Sequence, residues 1–181
     1  MKNCYNLSLD FMPLREDFTF PVSNLGKRVL HVYDKTVLSA PCKAWIRESG
    51  LKFQKLFIFE DPGIGNIRIV HIDGVENRSK KFAINWNIGN GKFIMEWFDV
   101  NPASTVITLD PDKHPYDVFN ESDTILIESS ASVGPVLFNT SSPHSVMNLD
   151  NNIRYGVTLR FFNELSWEES VIFLSKYIIE K

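Results

Sequence analysis

Two of the four histidines stand where a metal ion would need them. His71 closes the β-rich run Ile67-Arg68-Ile69-Val70, and Asp73 follows two residues later. If that strand continues through Asp73, both side chains point to the same face, because successive residues of a strand alternate. An imidazole and a carboxylate one strand pitch apart can occupy adjacent corners of a metal's coordination sphere. An isolated His-x-Asp is also what a strand-end histidine hydrogen-bonded to a carboxylate looks like, so the pair gains weight only from a third ligand. His144, within Pro143-His144-Ser145-Val146-Met147-Asn148, offers one. Two imidazoles and one carboxylate are the ligand set of the non-haem iron(II) facial triad, which leaves coordination positions open; the same donors also accept zinc or manganese.

A second group of residues separates a reactive site from a structural one. Arg154 comes ten residues after His144, and Thr158 and Arg160 follow on the same face of any strand that contains them. If that face is interior, two guanidinium forks lie inside an apolar sheet, and a buried arginine needs an anion, best a bidentate carboxylate. The alternative is a pair of sheet-rim arginines neutralised by an acidic neighbour such as Asp150 or Glu164.

These residues require a β scaffold, and the chain supplies one. Short alternating or apolar runs predict strands near 52–60, 66–72, 82–88, 92–100, 104–109, 124–128, 133–139 and 154–162. Turn residues punctuate them at Pro62-Gly63, Gly65-Asn66, Asn101-Pro102, Pro111-Asp112 and Gly134-Pro135. Gly89-Asn90-Gly91 predicts a hairpin between two of the runs, since it permits positive φ. Helix is scarce. Pro41 to Gly50 predicts a short one, and Ser166-Trp167-Glu168-Glu169 is a capping box that opens another. Trp167, Val171, Leu174 and Ile178 continue it as one apolar stripe, so the expected C-terminal helix covers about 166–179. The expected fold is mainly β, a sandwich or barrel of jelly-roll type with flanking helices. It is read as a single domain over 1–181 with its core at about 50–163.

The ordered set of motifs resembles the 2-oxoglutarate/Fe(II)-dependent dioxygenase superfamily, near its aspartyl/asparaginyl β-hydroxylase-like and prolyl-hydroxylase-like branches. The resemblance runs from Pro62-Gly63 through His71-Ile72-Asp73-Gly74, Ala83-Ile84-Asn85-Trp86 and Met95-Glu96-Trp97-Phe98. It closes with His144 and with Arg154 through Arg160-Phe161. It implies a double-stranded β-helix, cupin-like, holding Fe(II) through His71, Asp73 and His144. It implies that Arg154 clamps the far carboxylate of 2-oxoglutarate, and that O2 is consumed while the cosubstrate is decarboxylated to succinate. Ascorbate is an expected reductant. Many members carry Ser or Thr two positions after the basic residue, where this chain has Gly156; either Thr158 substitutes for it or Arg160 is the true clamp. Asn85, Trp86 and Trp97 are expected on strands near the mouth, the tryptophans as core pieces in the simplest reading.

Composition narrows the partners. A net charge of −3 gives no field that would gather a nucleic-acid backbone, and the nearest basic run is only Arg78, Lys80 and Lys81. Cys4 and Cys42 are too few and too far apart for a C-x-x-C motif. With no apolar leader at its start and no run of about 18 apolar residues, the chain is expected to be soluble and cytoplasmic. The expected function is hydroxylation of a peptidyl side chain, an amino acid or a small metabolite, with 76–81 and 110–123 as the loops that choose among them. The rival reading is a non-oxidative cupin-type protein that binds a metal or a small ligand. A virion or assembly protein on the same fold is a third, thinner reading.

Overall fold

The computed structural model describes residues 1–23, 28–63, 68–73, 81–89, 92–109, 116–131 and 134–179. Two antiparallel six-stranded sheets stack on one another. The larger has the order β1-β10-β5-β12-β3-β2, from Cys4–Asn6 (β1), Val29–Tyr33 (β2), Phe53–Asp61 (β3), Phe82–Gly89 (β5), Val136–Asn139 (β10) and Arg154–Phe161 (β12). The smaller has the order β7-β8-β4-β11-β6-β9, from Val70–Asp73 (β4), Phe93–Val100 (β6), Val106–Leu109 (β7), Tyr116–Phe119 (β8), Thr124–Ser130 (β9) and His144–Asn148 (β11).

The strand residues divide by parity into two cores. On β12, Val157, Leu159 and Phe161 point outward with Leu56 and Ile58 of β3 and Ile84 and Trp86 of β5, and two helices cover them. Between the sheets lies a smaller core in which Ala83, Val136 and Phe138 meet Phe93, Met95 and Trp97. The interlayer face of β12 therefore carries the other parity: Arg154, Gly156, Thr158 and Arg160. Their polarity would be costly in a sealed core. It is tolerable where the layer holds a site.

Helix α1, Ala40–Ser49, begins where the Ser39 side chain accepts the Cys42 amide and ends at Gly50, whose φ of 77° closes the helix in the left-handed region. Its buried stripe of Cys42, Trp45 and Ile46 sits at helical spacing against the outer core. Helix α2, Trp167–Phe173, opens with the expected capping box. It is shorter than the stripe predicts, passing into a 3-10 turn at Ser175–Tyr177. The cause is capture by the N-terminus: Ser8 donates to the Tyr177 carbonyl and Ile179 to that of Asn6, contacts a continued helix would forbid.

The Gly89-Asn90-Gly91 expectation needs correction. Gly89 has the positive φ, 111°, but the strands on either side do not pair. Both edges of β5 are taken by β10 and β12, and both edges of β6 by β11 and β9, so the chain crosses between layers instead of folding back. Asn90 and Gly91 lie outside the described residues, as do Gly65-Asn66, Pro111-Asp112, Arg78, Lys80 and the stretches 76–80 and 110–115 of the expected mouth loops. The remainder of the second loop forms β8 and a 3-10 turn at Glu121–Asp123. Strands β1 and β2 precede the expected core, yet they complete the two edges of the large sheet. Among the described residues no helix is long and apolar enough to cross a membrane.

Candidate metal centre

His71 and Asp73 lie on β4, which does continue through Asp73, and both project into the interlayer space. β11 pairs with β4 so that His144 stands directly opposite His71, and His144 is also opposite Trp97 on the other side. This register makes the site. Directly paired residues share a face with their side chains in reach, so two histidines far apart in sequence become neighbours. Their rings stand 4.5 Å apart between centroids, and the donor atoms of His71, Asp73 and His144 all lie within 4.8 Å of one another.

The backbone fixes which nitrogen faces inward. Nδ1 of His71 is 3.0 Å from the Ile69 carbonyl, and Nδ1 of His144 is 2.9 Å from that of Ser142. A carbonyl only accepts, so each Nδ1 carries the proton and each Nε2 presents its lone pair. Those Nε2 atoms lie 3.4 Å and 3.8 Å from the Asp73 carboxylate oxygens. Holding the distal nitrogen in this way is how proteins orient histidine toward a metal. The edge of the Tyr116 ring packs against His71 at 5.6 Å and limits its rotation.

Electrostatics keep Asp73 and His144 in ligand form. Burial alone would raise the Asp73 carboxyl, but Arg160, His71 and His144 outweigh it and hold it well below the ordinary carboxylate range. Burial, reinforced by the neighbouring His71, pushes His144 down to about 4, so its imidazole is neutral at neutral pH. Arg160 reaches across the layer from β12 and donates through Nη2 to Asp73 Oδ2, which leaves its own Nε buried and unpartnered.

The remaining predicted residues form a polar column along the large sheet's inner face. Thr158 Oγ1 donates to Asn85 Oδ1 at 2.8 Å, and Asn85 Nδ2 donates to Asn87 Oδ1 at 3.3 Å. Arg154 donates to the same Asn87 oxygen through Nε at 3.0 Å and Nη2 at 2.7 Å, leaving Asn87 Nδ2 buried and unpartnered. Arg154 is buried, rests against the Phe93 ring at 5.1 Å, and has Asp61 at 3.9 Å as its nearest carboxylate. Neither Asp150 nor Glu164 pairs with it. Burial lowers the Arg154 guanidinium to about 10, with Asp61 opposing that shift and Arg28 adding to it. Gly156 explains how Arg154 folds back: a Cβ there would stand 3.1 Å from Arg154 Nη2.

The structure thus brings His71, Asp73, His144 and Arg160 together, and strings Thr158, Asn85 and Arg154 away from them along one face. Trp97 is fully buried beside His144, its Nε1 bonded to the Asn139 carbonyl, while Trp86 faces the outer core, away from the site. Sequence reading missed Asn87, Tyr116 and Asp61. Asn87 was within reach, since it follows Asn85 at the strand period; Tyr116 and Asp61 depend on pairings between distant segments. No protein-family model matches the chain, and no curated protein matches it.

Proposed function

We propose that this protein is an Fe(II)- and 2-oxoglutarate-dependent oxygenase that hydroxylates a peptidyl side chain, an amino acid or a small metabolite. The observation that carries the reading is the convergence of two Nε2 lone pairs and one carboxylate beneath a strand bearing two buried arginines. The architecture supports it. Taking β3, β4, β5, β6, β9, β10, β11 and β12 as strands I to VIII, the sheets read I-VIII-III-VI and II-VII-IV-V. That order is the one a jelly roll's double Greek key would have, and it supports the reading by setting both histidines on adjoining strands of one sheet and both arginines on a central strand of the other.

The donor set fits the metal. His71 and His144 present Nε2, and Asp73 presents the oxygen that Arg160 leaves free. Two imidazoles and a carboxylate on one side of an ion leave its other side open. His71, Asp73 and His144 would hold the iron, and with 2-oxoglutarate and O2 it would supply the oxidising power, the overall reaction giving succinate, CO2 and a hydroxylated substrate.

The chain's own contribution is positioning. Arg154, held by the Asn87 oxygen through Nε and Nη2, has its Nη1 side left for a carboxylate within the layer, and Asn87 adds an unpartnered amide N–H, donors that a dicarboxylic keto acid would use. Thr158 places its hydroxyl on the same face two residues past Gly156, where it can take the role of the hydroxyl missing there. Arg160 holds Asp73 ionised and aimed, and its buried Nε is a second donor for an anion at the metal.

The test is succinate formation by purified protein given Fe(II), ascorbate and 2-oxoglutarate under air, beside His71→Ala. Succinate that disappears in the variant supports the assignment. Absence of both succinate and anaerobic 2-oxoglutarate binding overturns it in favour of a non-oxidative ligand-binding jelly roll.

A further inference from the structure

The interlayer space is sealed on one side of the metal group and open on the other. Toward β10 and β6 the inward side chains interlock, and Trp97, Met95 and Val136 are all but inaccessible. In the opposite direction the inward positions stay apolar and lose their cover. On the large sheet Phe59 pairs with Leu30 and Phe57 with Val32, on the face that carries Arg160, whose guanidinium lies 6.0 Å from the Phe57 ring. On the small sheet Val118 pairs with His71, and Ile107 pairs with Val118. Exposure grows outward from the metal group, reaching 42% at Val32 and 59% at Ile107, against 0% for Trp97.

Charge is scarce on these two walls. Among the described residues, Lys55 stands exposed at the rim in register with Arg160, and Arg28 and Asp61 neutralise one another at 2.7 Å. A run of apolar side chains facing inward yet accessible, ending at convergent polar groups, is the usual make-up of a small-molecule cleft. A charged substrate group would lose its hydration there without gaining a partner.

Resting on the oxygenase reading, we infer that the substrate presents an uncharged apolar group, an aromatic ring or a branched hydrocarbon chain. It lies in the cleft between β2–β3 and β7–β8, with the reacting C–H bond beside His71 and Asp73. The cleft supplies desolvation and orientation; the ligand triad supplies the reacting end.

Indole is a suitable probe, because it is neutral, apolar and shifts nearby methyl resonances through its ring current. It would be titrated into full-length protein labelled at Ile, Leu and Val methyls, with Zn(II) in place of iron. The largest shifts are expected at Val32, Val118 and Ile107, with none there from L-aspartate. The affinity should fall at least tenfold in Val32→Asp/Ile107→Glu, whose changes lie on exposed edge strands. Shifts centred instead on Ile125 and Ile127 of β9, shifts without a focus, or undiminished affinity in the double variant would overturn the inference. Succinate and anaerobic 2-oxoglutarate-binding assays separate the two claims: indole in the cleft with neither signal removes the oxygenase and leaves a ligand cleft, and either signal without indole in the cleft removes this inference alone.

Discussion

Arg160 and Asp73, from opposite sheets, form an ion pair at the centre of the site, so the carboxylate that would hold a metal is already held by a cation. Asp73 is only 23% exposed on its side chain, so removing Arg160 leaves a poorly solvated negative charge without its cationic partner. Breaking a buried pair costs several kcal/mol, and a partly exposed one less, about 2 kcal/mol here. Arg160→Met should therefore lower the melting temperature of the metal-free protein by about 6 °C. A divalent cation then restores what the arginine provided. Co(II) should raise the melting temperature more in Arg160→Met than in the unmodified protein, and an equal rise would show that Arg160 does not substitute for the metal.

The burial of His144 makes stability depend on pH. Its folded value of about 4 lies below the 6.5 of an exposed histidine. In the window between them the unfolded chain takes up a proton that the folded chain refuses. Linkage then requires folding stability to fall as pH drops from 6.5 toward 4. Asp73 has the same sign but acts lower, below its ordinary 3.8, and does not blur the window. Urea midpoints of the metal-free protein at pH 7, 5.5 and 4.5 should decline, and His144→Gln should remove much of that slope. An unchanged slope in the variant would assign the dependence to another group.

Arg154 and Gly156 act together. Arg154 forms its bonds to Asn87 with the guanidinium folded over Gly156, where a side chain would stand 3.1 Å from Nη2. Losing a charge-assisted hydrogen bond costs about 1.5–3 kcal/mol, so Arg154→Met should weaken anaerobic 2-oxoglutarate binding by about 10- to 100-fold. Gly156→Val keeps the guanidinium but displaces it, and should weaken binding by about tenfold, with the fold intact by circular dichroism. Calorimetric titration distinguishes them. If Arg160→Met abolishes binding while Arg154→Met leaves it unchanged, the clamp is Arg160.

What could be read from the sequence follows the range of the interaction. His71 and Asp73 share a face because of a strand's period of two, a local property that two residues reveal. The common face of Arg154, Thr158 and Arg160 is legible for the same reason. That His144 would be opposite His71 is a matter of register between segments far apart in the chain, which no local pattern encodes. Short strands escaped notice too: Cys4–Asn6 and Tyr116–Phe119 are too brief for alternation to register, and each pairs with a strand far away in the chain, Val136–Asn139 and Val70–Asp73. The Gly89 turn carried a correct local signal, positive φ, and a wrong global one, because the neighbouring strands already had partners. The C-terminal helix ended early for the same kind of reason, since pairing with the N-terminal strand replaced its last turn.

The two thiols test how the layers come apart. Burial raises Cys42 to about 12 and Cys4 to about 11, so at pH 8 each is thiolate in well under about 1% of molecules. A disulfide reagent such as 5,5′-dithiobis(2-nitrobenzoate) should therefore react with neither in the native protein and with both in denaturant. Their order of exposure depends on position. Cys4 lies on a three-residue strand at the edge of the large sheet, paired with β10, whereas Cys42 is fully buried in the outer core between α1 and the large sheet. Edge elements open locally at lower free energy than core ones. As urea is raised below the global transition, Cys4 should become reactive first, with Cys42 following only at the transition. The reverse order would mean that α1 detaches before β1, and that the outer core is the weaker of the two layers.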